Sequence, residues 1–161
     1  MSCIEVGRAA PAFTLPDQDG AKHAIKDYRG RPVVLYFYPK DDTSGCTKQA
    51  CGFRDELPAF EALDAVVLGV SPDDVASHRK FADKFELPFT LLADAPAEKG
   101  DQPKVCGAYG VWQEKSMYGR KYMGVVRTTY LINADGKVAQ RWDKVKVAGH
   151  IEAVRAAVEG L

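Results

Sequence analysis

A chain of 161 residues, with 46% hydrophobic and 27% charged side chains, is long enough to bury a core and fits one domain over residues 1–161. Its 22 basic and 22 acidic residues balance, so no charge surplus marks a surface for nucleic acid or an anionic membrane. The strongest apolar run, Val33–Tyr38, is far too short to span a bilayer, and the first residues carry neither the basic nor the apolar region of an export signal, so a cytoplasmic location is expected.

In chain order, Phe13–Leu15 and Lys22–Ile25 flank Asp17–Gly20 and read as a small N-terminal hairpin with a glycine turn. Val33–Tyr38 is β-branched and aromatic on both parities, the pattern of a strand covered on both faces, and Pro39 ends it. Phe53, Leu57, Phe60 and Leu63 recur at helical spacing and predict a helix from about Cys46 to about Leu63, with Pro58 as a point of interruption. A strand over Ala65–Val70 follows. Ser71-Pro72 reads as the start of a second helix that runs to about Phe85. Leu87–Leu92 is a short strand, Asp94–Asp101 a loop and Val105–Tyr109 a brief helix. Gly110–Gly124 is rich in Trp, Tyr, Met and Lys without a clean period; Trp112, Tyr118 and Tyr122 there either cover a shallow apolar pocket or pack. Arg127–Ile132 and Lys137–Trp142 around Asn133–Gly136 form a β-hairpin, and Val147–Val158 is a closing amphipathic helix. This order predicts an α/β protein with a central mixed sheet and helices on both faces, and a thioredoxin-like fold matches it.

Chemistry concentrates in Pro39–Cys51. Gly45-Cys46 puts a thiol at a strand-to-helix junction, where free backbone N–H groups favour a thiolate, the form that attacks electrophiles. Thr43 lies one turn upstream with a hydroxyl that could face the sulfur, and Pro39 offers a rigid wall without an N–H. Cys51 shares the helix. Residues five apart on an α-helix have Cα atoms roughly 8.7 Å apart, beyond the about 5.5–6 Å of a disulfide, so a Cys46–Cys51 bond requires the first turns to unwind. Two inert, packed thiols fit the same spacing. Without an export signal the four cysteines are expected to be reduced at rest. The Cys-x-x-Cys of a dithiol reductase is absent, and His23, His78 and His150 are too scattered to suggest a metal site. Cys3 is expected to be exposed at a mobile terminus and Cys106 to be packed or a second resolving thiol. Arg127 reads either as a surface cation at a sheet end or as a guanidinium that stabilises a thiolate and polarises a peroxide.

Together, Tyr38-Pro39-Lys40-Asp41, Thr43, Gly45-Cys46-Thr47, Ala50-Cys51 and Arg127 resemble the peroxiredoxins of the Q type, the bacterioferritin comigratory protein group, with Tyr109–Trp112 and Lys115–Gly119 as supporting stretches. The likeness runs from Pro11-Ala12-Phe13 to the last helix. It implies a thioredoxin fold and a thiol peroxidase acting on hydrogen peroxide and organic hydroperoxides without metal, flavin or other cofactor. By the same resemblance Cys46 is the peroxidatic cysteine, Thr43 and Arg127 position the peroxide, and Pro39 shields the sulfenic acid. Cys51 matches the resolving cysteine, with Cys106 left as an alternative, and thioredoxin or a similar dithiol is the implied reductant. Gln49 stands where many relatives carry Glu. An intramolecular pair needs no partner chain, so a monomer is expected.

Overall fold

The computed structural model describes residues 2–161. Its first strands, β1 (Thr14–Pro16) and β2 (Lys22–Ala24), form the expected antiparallel hairpin. The main sheet comprises β3 (Val33–Phe37), β4 (Val66–Ser71), β5 (Thr90–Ala93), β8 (Thr128–Ile132) and β9 (Val138–Trp142), in the order β5-β4-β3-β8-β9. β3, β4 and β5 run parallel, and β8 and β9 are antiparallel to their neighbours, so the sheet is mixed. β3 is central and buried along its whole length, which is why both its parities are apolar.

Helix α1 (Ser44–Ala62), α2 (Val75–Phe85) and α4 (His150–Glu159) bury Phe53, Phe60, Phe81, Ile151 and Val154 with Tyr36 and Tyr38 on one side of the sheet. The short α3 (Lys104–Ala108) closes the other side, where Leu35, Phe37, Tyr109 and Tyr130 pack. Each such side chain contributes about 1.5–3 kcal/mol by leaving water. Pro58 sits on the exposed face of α1 and the helix continues through it. Among the described residues no helix is long and apolar enough to cross a membrane.

Several elements differ from the sequence reading, β5 among them, which begins at Thr90 rather than Leu87. α2 begins at Val75, capped by Asp74, rather than at Ser71-Pro72, because Ser71 completes β4 and its hydroxyl bonds Asp73. α4 begins at His150 rather than Val147, after Gly149 at φ +75°. Gly110–Gly124 is a hairpin: β6 (Trp112–Met117) pairs with β7 (Arg120–Val125) and, among the described residues, with no other strand. Tyr118 and Gly119 both have positive φ, as a two-residue turn between twisted strands requires. Both faces of the hairpin are largely exposed, so no apolar alternation announces it.

Gly69 in β4 shows how tightly the core closes on Tyr36. A Cβ there would lie 2.9 Å from the Tyr36 ring carbon Cζ and its hydroxyl and 3.0 Å from Leu91 Cδ2, all fully buried. Gly69→Ala is therefore expected to cost about 1–3 kcal/mol, seen as a lower urea midpoint at unchanged slope. A midpoint equal to that of the parent would show that the Tyr36 ring yields.

Candidate active site

The β3 strand delivers the chain to one end of the sheet, where Tyr38 still bonds Val70 through its N–H before Pro39 turns the backbone away. The loop Pro39–Thr43 then leads into α1. Thr43 is the extended residue that caps the helix, its carbonyl accepting the Thr47 N–H at 2.8 Å. The helix thus starts two residues earlier than its periodicity suggests, and Cys46 lies in the first turn, where N–H groups have no partner within the helix. Its side chain is 2% exposed. The Thr43 hydroxyl donates to the Lys40 carbonyl at 2.9 Å and makes no hydrogen bond to the sulfur. Pro39 is half-buried beside the fully buried Tyr38.

The residue that reaches the sulfur comes from far along the chain. In the β3–β8 register Phe37 faces Thr128, which sets Arg127 beside the end of β3 and the start of α1. Its Nη2 donates to Cys46 Sγ at 3.2 Å and its Nη1 to Gln49 Oε1 at 2.6 Å. This forked contact places the guanidinium at the sulfur rather than at a free surface. Gly45 permits it, because a Cβ there would stand 3.1 Å from Arg127 Nη2. Gln49 is fully buried and its amide nitrogen has no partner, so its oxygen orients the guanidinium without adding a charge. Arg127 keeps its positive charge for whatever negative charge forms on sulfur or on a bound oxygen.

Lys115, on β6, lies within electrostatic reach of Arg127 and was named from the sequence only as part of Lys115–Gly119. Its Nζ donates to the Val125 carbonyl, and burial followed by repulsion from Arg127 pushes its pKa down. The signal was hidden because the hairpin that carries it has no clear period. Tyr122 lies against Lys115, 5.9 Å from Nζ to ring centroid; Tyr118 is 99% exposed at the tip, and Trp112 packs on the core.

Cys51 is half-buried on α1, its thiol free, about 140° around the helix from Cys46 by helical geometry. The next residues anchor the helix: a Cβ on Gly52 would meet Ile151 Cδ1 at 3.0 Å, and Phe53 is fully buried against Tyr36 and Phe60. Cys106 is buried in α3 on the opposite side of the sheet from Cys46. Burial and the nearby Asp94 carboxylate push its thiol pKa well up. Cys3 is half-buried rather than exposed, its thiol donating to the Gly110 carbonyl at 3.4 Å.

The three histidines lie apart. His23 bonds Asp17 and Tyr28, His78 bonds Asp41 and Leu92, and His150 bonds the Thr129 hydroxyl. Burial, and then the charge of Arg127, lower the His150 pKa to about 4. The unfolded chain binds that proton near pH 6.5, so the unfolded state holds more protons between these limits. Stability is expected to fall as pH drops from about 6.5 towards 4, and His150→Gln should flatten that part of a thermal-midpoint profile. An unchanged slope in the variant would assign the acid loss elsewhere.

Residues 6–141 match the model of the AhpC/TSA family. Peroxiredoxin Bcp of Bacillus subtilis is 46% identical over 148 residues, covering 92% of this chain and 90% of that protein. Among solved structures, the Xanthomonas campestris bacterioferritin comigratory protein, studied for its alkyl peroxide reduction activity, superposes with a TM-score of 0.85 at 38% identity, covering 97% and 98% of the two chains. A peroxiredoxin Q of Xylella fastidiosa superposes with a TM-score of 0.90 at 34% identity, covering 99% and 98%.

Proposed function

The chain belongs to the AhpC/TSA family, in its peroxiredoxin Q or bacterioferritin comigratory protein group, and we propose that Cys46 is its peroxidatic thiol and Cys51 its resolving one. It is a thiol peroxidase on a thioredoxin fold, acting on peroxides at the expense of thiols. The observation that carries the assignment is the guanidinium of Arg127 at 3.2 Å from a buried sulfur in the first turn of α1.

Cys46, as thiolate, attacks the nearer peroxide oxygen. The O–O bond breaks, the departing oxygen takes a proton and leaves as water or alcohol, and the sulfur becomes sulfenic acid. Arg127 stabilises the negative charge on sulfur and then on the departing oxygen. Pro39 walls the sulfenic acid from water, and Thr43 helps to position the peroxide once its hydroxyl turns from Lys40. Cys51 then displaces water from the sulfenic acid to give a disulfide. The helical separation of the two thiols requires residues 44–50 to unwind, with Gly52 and Phe53 as the point where the helix still holds. Cys51 is preferred to Cys106 because Cys106 lies on the other side of the sheet with its thiol pushed up. A thioredoxin-like dithiol reduces the disulfide. The protein acts as one domain over residues 1–161, as a cytoplasmic monomer, in peroxide detoxification.

One equivalent of hydrogen peroxide, followed by blocking of free thiols and peptide mapping, tests this. The expected product is a Cys46–Cys51 link with loss of two hydrogens, while Cys51→Ser protein accumulates a Cys46 sulfenic acid that a dimedone probe captures. A link from Cys46 to Cys106 would reassign the resolving thiol, and an unmodified Cys46 would overturn the assignment.

A further inference from the structure

Asp41 is buried in a loop whose neighbours Lys40 and Asp42 are exposed, so its carboxylate points inward. Both oxygens are engaged. Oδ1 accepts the Tyr38 hydroxyl at 2.6 Å, and Oδ2 accepts the Ser77 hydroxyl and His78 Nδ1, each at 2.7 Å. The Asp41 N–H donates to Asp73 Oδ2 at 2.8 Å. A second tie to α2, Lys84 to Asp42 at 2.8 Å, holds the same loop from outside.

His78 is the centre of this arrangement and is 0% exposed. Its other nitrogen, Nε2, lies 2.9 Å from the Leu92 carbonyl oxygen. A carbonyl only accepts, and an ionised carboxylate only accepts, so beside an ionised Asp41 both ring nitrogens carry hydrogen. A neutral ring has one N–H to share between them. Either tautomer would set a nitrogen lone pair against an oxygen, at Asp41 or at Leu92, inside a site that water does not reach.

We propose that His78, held as an imidazolium, is a positioning residue for the peroxide pocket: through Asp41 it fixes the Pro39–Thr43 loop that leads into Cys46. This rests on the assignment of Cys46 as the peroxidatic thiol. His78 touches neither the sulfur nor a bound peroxide, and it acts only by holding the loop. The groups facing its ring are Asp41 and the Tyr38 phenol from the β3–α1 segment and Asp73 from the β4–α2 loop, while β5 presents only the Leu92 carbonyl. Burial alone would lower the ring's pKa, but the bond to Asp41 and its charge outweigh burial, and the net shift is upward. The proton is therefore held to higher pH than in a free imidazole, and once it is lost the loop loosens and reactivity falls.

The test combines ring nitrogen chemical shifts of the reduced protein with the pH profile of the second-order rate constant for hydrogen peroxide. His78 is expected to show two protonated nitrogens at pH 7. Its deprotonation should coincide with an alkaline fall in the wild-type rate. In His78→Gln the rate at pH 7 should drop about tenfold, within what sub-ångström misplacement of reacting groups costs, and the alkaline fall should vanish. Asp41→Asn should move the wild-type fall to lower pH, because the imidazolium loses its counter-charge. A neutral ring at pH 7 overturns the proposal, as does a His78→Gln protein that is less stable but keeps the wild-type profile. If His78→Gln does not fold, coincidence or mismatch of ring titration and rate in wild-type protein decides. The two readings fail differently: an inert Cys46 in wild-type protein removes the peroxidase assignment, whereas a reactive Cys46 beside a neutral ring removes this one alone.

Discussion

Cys46→Ser protein is expected to consume hydrogen peroxide no faster than buffer, a loss of at least about a thousandfold, while keeping its fold. Serine is close in size, and the buried site already holds donors to oxygen or sulfur from Arg127 and the helix start. A hydroxyl at neutral pH, with no adjacent base to take its proton, is a far weaker nucleophile than a thiolate, and oxygen cannot form the sulfenic acid on which turnover depends. Peroxide consumption should be followed with saturating dithiothreitol, so that recycling is not limiting, and the fold checked by far-UV circular dichroism. Persistence of full activity in a folded variant would move the attacking thiol to Cys51, because Cys106 is sealed in the core and Cys3 packs on the other side of the sheet from Cys46, against Gly110.

Arg127→Ala should lower the second-order rate constant for peroxide by about 10²–10³, the range seen when a donor to developing negative charge is removed from a preorganised site. Alanine also strips Gln49 Oε1 of its donor, leaving a buried amide wholly unpaired, so a loss of about 1–3 kcal/mol of stability should accompany the rate effect. Arg127→Lys separates the two roles. A lysine retains the charge but offers a point donor rather than a planar fork, and cannot bridge Gln49 and Cys46 together. It should recover part of the stability and little of the rate. Competition against a haem peroxidase measures these rates, and an Arg127→Ala protein within a factor of two of wild type would show that the helix start alone activates the sulfur.

The core elements were legible because burial writes itself into sequence directly. Val33–Tyr38 is apolar on both parities because β3 is covered on both faces, and the spacing of Phe53, Leu57 and Phe60 reports the buried side of α1. Gly45-Cys46 stood out for a local reason, a thiol at a strand-to-helix junction. The contact between Cys46 and Arg127 is set by strand order and register, which residue spacing does not encode, so two readings of Arg127 stayed open until β8 was placed beside β3. The nearness of Lys115 to Arg127 and the β6–β7 hairpin itself escaped notice because the hairpin's side chains meet solvent on both faces and carry no period. The start of α2 was misplaced because Ser71 and Asp73 look like capping residues but are occupied with each other and with Asp41.

The register that places Arg127 has a consequence for when the enzyme comes into being. Cys46 and the arginine that touches it are 81 positions apart, and β3 waits for β8 across a similar stretch of chain. Pairings between such distant segments form late, after local helices and the neighbouring β3–α1–β4 unit. On the ribosome, where the chain emerges from its N-terminus, Cys46 is exposed to the cell long before residue 127 has been made. For that interval it is an ordinary thiol at a helix end, without its guanidinium. On the proposed roles of Cys46 and Arg127, rapid peroxide chemistry begins only when β8 has been synthesised and has joined the sheet, so the nascent chain is spared the reaction that the finished protein performs.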